Sequence, residues 1–370
     1  MSGVDVVAVR RDLHAHPELG FVETRTTAVI MATLTSLGLH PAVLPGGTGV
    51  VCDLGSGPRT VALRADIDAL PFQDLTDTPY RSTIDGVCHG CGHDAHTAIL
   101  LGAAAVLAAS PLPGRVRLIF QPAEEKLTGG ALGVIDAGLL AGVDQIYALH
   151  CDPRLDTGRV GLRVGAITAA CDHVDVTLRG PGGHTARPQL TVDLVRALGT
   201  VITGLPEALD DQALLVWGAT RAGSAPNVIP SVATVQGTLR LLDRDRWAGM
   251  EAVLRPLLAE VVAATGAAAE LGYQQGVPPV VNDAASVEVQ RAAVTAALGP
   301  EAVAGTEQSM GGEDFAWYLT HVPGAMARLG VRAPGAPVVD LHSGAFDLDE
   351  AALDIGVRYT VALALAALRA

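Results

Sequence analysis

The densest concentration of reactive side chains is the run Cys88-His89-Gly90-Cys91-Gly92-His93-Asp94-Ala95-His96, six potential metal ligands in nine residues. Imidazole and thiolate suit zinc and similar divalent ions, and carboxylates complete such sites. Two plainer readings stand beside this one. A structural zinc knuckle wants a second ligand pair at short spacing, and Cys52, Cys151 and Cys171 are singletons. A redox Cys-x-x-Cys wants its second cysteine at a helix start in a small domain.

A second signal is Gln121-Pro122-Ala123-Glu124-Glu125, which follows the strand-like Val116–Phe120. Paired glutamates are usually a solvated surface. At the end of a strand, adjacent carboxylates are expected to diverge, so that one holds a metal ion while the other reaches a water. Metal-assisted hydrolysis needs that division of labour. His150 ends the apolar run Ile146–Leu149. His342 lies in Leu341-His342-Ser343-Gly344, and His184 in Gly182-Gly183-His184-Thr185. Each alone reads as an ordinary polar residue; together they favour one shared site. His14-Ala15-His16 is a rival, because His-x-His after a first strand marks two-metal amidohydrolase barrels. Here it follows a helix-like stretch, and eight strand–helix repeats are not evident. His-Glu-x-x-His, a phosphate loop and a Gly-x-Ser-x-Gly elbow are all missing.

The elements that must position these groups alternate. Helices are expected over 4–13, 23–37 and 97–108, and strands over 61–63, 116–120 and 145–149. That order points to an α/β domain with a largely parallel sheet, whose chemistry gathers beyond the carboxyl ends of the strands. The polar clusters 64–68, 121–125 and 150–152 fall there. The texture then becomes strand 173–179, helix 192–205, strands 214–220 and 231–242, helix 246–265 and strand 268–274. This β-α-β-β-α-β order is that of a ferredoxin-like unit. Helix 287–298, strand 325–331 and helix 350–368 return to the first texture. The reading is one discontinuous domain (1–168 and 282–370) interrupted by a second (169–281).

Composition bounds the function. The chain has 370 residues, 49 % apolar and 17 % charged, so it folds around a large core. A net charge of -14 disfavours nucleic acid and anionic lipid. The longest apolar run, Ala98–Ala109, is well short of the ~20 residues of a membrane span. Residues 1–11 lack the pattern of a secretory leader. With five cysteines, an odd number, a reducing cytoplasm is expected.

At this level of detail the chain resembles the dinuclear-metal aminoacylase and carboxypeptidase family. The resemblance is greatest to the subgroup of hippurate hydrolase, bacterial N-acyl-amino-acid amidohydrolases and plant indole-acetyl-amino-acid hydrolases. The matching segments are RRDLHAHPELGFVETRT (10–26), LRADIDALP (63–71), CHGCGHDAHTA (88–98), FQPAEE (120–125), ALHCDP (148–153), GPGGHTARP (180–188), APNVIP (225–230), GTLR (237–240), MGGEDFAWYL (310–319) and LHSGAFDLDE (341–350). They are collinear and span nearly the whole chain.

The resemblance implies a zinc-peptidase-like α/β catalytic domain with an inserted ferredoxin-like α+β satellite domain that serves dimerisation. Cys91, His93, Glu125, His150 and His342 match metal ligands, with Cys91 bridging two ions as a thiolate. Glu124 matches the general base. His184 matches a histidine that polarises the scissile carbonyl, often across a dimer interface. Asn227 and Arg240 match positions associated with the substrate carboxylate. The family more often has Met at 88 and Ala at 90. His14, His16 and His96 match positions that are not ligands, and Asp68 receives a supporting role.

The expected activity is hydrolysis of the amide bond of N-acyl amino acids to a carboxylic acid and a free amino acid. Two divalent ions per chain (zinc, manganese, nickel or cobalt) are the implied cofactors. The implied partners are a small-molecule substrate and further copies of the chain, a homodimer or higher homo-oligomer. A dipeptidase or peptide-conjugate hydrolase on the same scaffold, and a non-catalytic binding protein, are the alternatives.

Overall fold

The computed structural model describes residues 3–127 and 129–370. They fall into two units. The first runs up to Ile167 and resumes over Val280–Glu307 and Asp314–Ala370; the second holds Thr168–Pro279 and Gln308–Glu313.

The central strands of the first unit read as unbroken apolar runs because both their faces are covered. An eight-stranded sheet has the order Ala42–Val43, Val50–Gly55, Arg115–Gln121, Thr60–Asp66, Gln145–Asp156, Gly324–Arg332, Val160–Leu162, Val303–Gly305. Thr60–Asp66 runs parallel to both of its neighbours, and Gln145–Asp156 runs parallel to Gly324–Arg332. Val50–Gly55 and Val160–Leu162 add antiparallel pairings towards the margins. Alternate side chains leave the sheet in opposite directions. Leu63, Leu118, Phe120, Tyr147 and Leu329 pack with the buried side of helices His93–Ala108, Ala284–Leu298 and Ala351–Ala367. Ala62, Ile119, Ile146 and Met326 pack with Val134, Phe315 and Tyr318. His93–Ala108 is buried on nearly all sides, which explains its lack of a polar stripe. No helix among the described residues is long and apolar enough to cross a membrane.

The second unit has a four-stranded antiparallel sheet in the order Ala213–Ala222, Val232–Leu241, Cys171–Arg179, Ala268–Val277. In Cys171–Arg179, Val174, Val176 and Leu178 are buried and alternate with more exposed residues. Helix Leu194–Glu207 buries Leu194, Leu198, Val201 and Leu205. The expected helix 246–265 is instead two, Arg244–Ala248 and Met250–Val262, meeting at Gly249. Asp243 caps the short helix by accepting from the Arg246 N–H. Trp247 Nε1 donates to buried Asp172 at 2.9 Å, so the short helix has its own anchor, and glycine is a poor residue through which to continue a helix. Residues 308–313, which the sequence assigns to the catalytic domain, group with this second unit. The N–H of Ala169 donates to Gly311 O at 3.1 Å, and Arg240 Nη1 donates to Met310 O at 2.8 Å.

Candidate metal centre

The first unit collects its polar groups at the carboxyl ends of two neighbouring strands and partway along a third, which is expected to end at 149 but continues to Asp156. Thr60–Asp66 ends in Asp66, with Asp68 two residues on. Arg115–Gln121 leads to Glu124 and Glu125, and Gln145–Asp156 carries His150. The loop Cys88–Gly92 delivers Cys91, and helix His93–Ala108 begins with His93. Gly92 has φ 85° and lies so near Cys151 that a Cβ would sit 2.9 Å from its Sγ. Only glycine meets both conditions.

These side chains converge. One ligand atom each from Cys91, His93 and His150 lie within 4.8 Å of one another; so do those of Cys91, Glu125 and His342, and those of His93, Glu124 and Glu125. Cys91 Sγ is 3.6 Å from His150 Nε2. Glu125 Oε1 is 3.2 Å from His342 Nε2 and 3.9 Å from His93 Nε2. Cys91 is thus shared by two overlapping ligand groups. The expected divergence of Glu124 and Glu125 is corrected: both approach His93. They follow Ala123, at φ 55°, in a turn, so the alternation of a strand does not apply. His342 has φ 60°, an uncommon backbone for a non-glycine residue, and its ring remains 53 % exposed.

Hydrogen bonds fix the tautomers on which metal binding depends. His93 Nδ1 lies 3.0 Å from Asp68 O and 3.3 Å from Asp68 Oδ1, so Nδ1 carries the proton and Nε2 a lone pair. His150 Nδ1 donates to Cys151 O at 2.8 Å, leaving Nε2 facing Cys91. His93 Nε2 is buried without a hydrogen-bond partner. Lone pairs left this way are costly unless a cation takes them, so the donor set fits divalent ions.

His96 shows the opposite arrangement. Its Nε2 accepts the Cys151 N–H at 2.8 Å and its Nδ1 donates to Asp66 Oδ1 at 2.6 Å. Both nitrogens are committed, so His96 is a support, although it also lies within ligand distance of Asp66 and His93. Asp66 gives its other oxygen to Arg64 Nη1 at 2.6 Å, and Arg64 in turn reaches Gln121 and Asp314. His14, in helix Val6–Ala15, bridges buried Asp94 at 2.7 Å and Asp74 at 3.2 Å; Arg10 donates to Asp94 at 2.8 Å. His16 pairs at the surface with Asp12. Cys88 is buried and joins none of the metal-capable groups among the described residues.

The electrostatics follow from this packing. Burial opposes protonation of His93, but Asp66 and Cys91 outweigh it and raise its pKa well above the usual value. Hydrogen bonds to Cys91 and then Glu125 push His342 up to about 10. Burial, with Arg328 and His96 adding to it, holds His150 well below its usual value. Burial would raise Asp66, but His93, His96 and Arg64 hold it far down. Burial, then Asp74 and Asp94, push the Cys88 thiol up to about 12, so it stays protonated.

The sequence also singles out three residues of the second unit. His184 is exposed on the short strand Gly183–His184, paired with Val228–Ile229. Its Nδ1 accepts the Ala186 N–H at 3.0 Å, so a neutral ring carries its proton on Nε2. Asn227 is beside it, its carbonyl accepting the Thr185 N–H at 3.2 Å. Arg240 is elsewhere. It pairs with Leu214 near one end of Val232–Leu241, while His184 belongs to the corner beyond Val232. Eight residues separate 232 from 240, about 26 Å of strand.

The chain is similar to known proteins. The model of peptidase family M20/M25/M40 matches residues 62–366. The chain is 37 % identical over 372 residues to a Bacillus subtilis N-acetylcysteine deacetylase, covering 97 % of this chain and 96 % of that protein. It is 49 % identical over 367 residues to a Rhodococcus jostii protein named as a glutamate–cysteine ligase, covering 97 % of this chain but only 46 % of that longer protein. A Bacillus subtilis crystal structure described as a dinuclear metal binding peptidase superposes with a TM-score of 0.88 at 36 % identity, covering 98 % of this chain and 97 % of that one.

Proposed function

The chain belongs to peptidase family M20/M25/M40, and on that premise we propose that it is a metal-dependent amidohydrolase. It cleaves N-acyl amino acids to a carboxylic acid and a free amino acid. The observation that carries the reading is the convergence of His93, His150, Glu125 and His342 on Cys91, beside Glu124. A site that only bound a ligand has no need of a second carboxylate beside its metal-holding one.

Cys91, His93, Glu125, His150 and His342 would hold two divalent ions, Cys91 belonging to both ligand groups. When bound, such ions polarise a carbonyl and bring the pKa of water towards ~7. Zinc, manganese, nickel and cobalt all suit these ligands, and supply decides among them. Glu124 accepts the proton of the attacking water and passes it to the leaving amine. His184, through Nε2–H, donates to the carbonyl oxygen as it gains charge. Asn227 and Arg240 receive the substrate carboxylate.

The placement of these last residues supports a homodimer. An N-acyl amino acid is much shorter than the roughly 26 Å of strand between Arg240 and the His184 corner. That separation supports a reading in which His184 and Asn227 serve the site of a second copy. A cytoplasmic home fits the five free cysteines, four of them buried.

The test is metal content per chain, followed by amine release from a panel of N-acyl amino acids. Near two ions per chain is expected, with turnover lost to chelator and regained with added metal. A chain that binds no more than one ion and releases no amine after metal addition overturns the reading.

A further inference from the structure

Glu124 and Glu125 follow Ala123, whose φ of 55° lies in the left-handed region that a side chain disfavours. Such a backbone persists only where its surroundings hold it. Carboxylates hold this one on two sides. Asp68 Oδ2 accepts the Glu125 N–H at 3.0 Å. Glu23 Oε1 accepts the Ala123 N–H at 2.8 Å, across 100 residues of sequence.

Glu23 is 0 % exposed. A side chain that only filled this space would be apolar, because burying a carboxyl carries a desolvation cost. Burial does push the Glu23 carboxyl up, against backbone donors that include the Ala123 N–H. Charged or neutral, it keeps an oxygen able to accept that bond. The loop bearing Glu23 is itself fastened to the same region. The Ala69 N–H donates to Glu18 O at 2.8 Å, Phe21 has φ 70°, and a Cβ on Gly20 would sit 2.9 Å from Ala123 Cα. Glu23 also precedes helix Thr24–Ser36, its carbonyl accepting the Thr27 N–H at 3.0 Å. A purely structural role at this helix start is therefore the competing explanation.

We propose that Glu23 is a positioning residue for hydrolysis, holding Ala123 and thereby setting the direction in which Glu124 presents its carboxylate. It touches neither substrate nor metal ion. The proposal rests on Glu124 being the base, and its test separates the two claims.

Variants E23Q, E23D, E23M and E124Q of the full chain, with divalent metal supplied, are compared for metal content, thermal midpoint, kcat and KM in amine release from an N-acyl amino acid. E23Q retains an accepting oxygen and is expected to keep kcat within about threefold of the parent. E23M has no acceptor, and E23D falls one methylene short. Both are expected to lose about 10–100-fold in kcat, with KM and metal content unchanged, because small misplacements of a reacting group are this costly. If E23M does not fold, E23D against E23Q carries the comparison. Parental kcat in E23M or E23D overturns the proposal. So does an E23Q loss equal to that of E23D, or a loss that tracks the folded or metal-loaded fraction. Normal turnover by E124Q instead overturns the assignment of the base, whatever Glu23 does.

Discussion

The two units handle their polar groups in opposite ways. In the first, Cys91, His93, His150 and Asp66 are buried, and the protonation of each ring is set by a neighbouring carbonyl or carboxylate. In the second, His184 and Asn227 stand exposed on a short two-stranded corner. Metal ions of this kind need ligands oriented before they arrive, and burial enforces that orientation. Preorganisation marks the polar groups of the first unit, and exposure marks those of the second.

The sharpest way to break this contrast is to remove one residue from each side. E124Q is expected to lower kcat by about 10²–10⁴-fold while metal content stays at its parental level. H184A is expected to lower kcat by about 10²–10³-fold, again with metal retained. Neither variant alone shows where His184 acts, but mixing them does. If His184 serves a second copy, a mixed dimer contains one intact site, and random exchange restores roughly a quarter of parental activity. If His184 acts within its own chain, mixing restores nothing. Steady-state amine release after subunit exchange reads the difference.

A smaller effect separates two histidines of the first unit that look alike in sequence. His150 leaves Nε2 facing Cys91, whereas His96 has both nitrogens committed. H150A is expected to reduce bound metal by about one ion per chain. H96Q is expected to keep the stoichiometry and weaken affinity about 10–100-fold, the usual cost of losing a supporting contact. Elemental analysis together with a competition titration distinguishes loss of an ion from weaker binding. Equal loss in both variants would erase the distinction between ligand and support.

Much of this site was legible because its chemistry sits in short dense motifs. Cys91 and His93 belong to a run with six candidate ligands, and His150 follows an apolar run, although the strand continues past it to Asp156. Supports made by long-range pairing were not legible. Nothing local to Glu23 announces a bond to Ala123, and nothing in Arg64 announces Asp314, 250 residues away. The alternating pattern of Cys171–Arg179 gave the second unit its strands, but the break at Gly249 depends on Trp247 finding Asp172. The orientation of Glu124 and Glu125 was misjudged for a related reason. Positive φ at Ala123 is imposed from outside the turn, so a strand-based rule could not anticipate it.

The contrast between the units also extends to pH, with the smallest effect. Asp94, in the first unit, is fully buried, yet Arg10 and His14 outweigh that burial and hold its carboxyl well below the usual range. A depressed carboxylate stabilises the fold above its unfolded pKa, and that stability is lost as pH falls through the folded value. Asp172, in the second unit, is raised, chiefly by burial, even though it accepts from Trp247, Tyr273 and Gly276. A raised carboxyl has the opposite sign: its favourable contribution is fully present below the unfolded pKa and is lost as pH rises through the folded value. Acidification from about pH 5 to about pH 2, through and below the unfolded carboxylate value, should therefore weaken the first unit more than the second. Hydrogen exchange on metal-free protein, followed separately for amides in helix His93–Ala108 and strand Cys171–Arg179, measures this directly. Protection is expected to fall in the helix and to hold or rise in the strand. D94N should reduce the pH dependence in the helix and leave the strand unchanged; parallel losses in both elements would mean that the two units unfold as one.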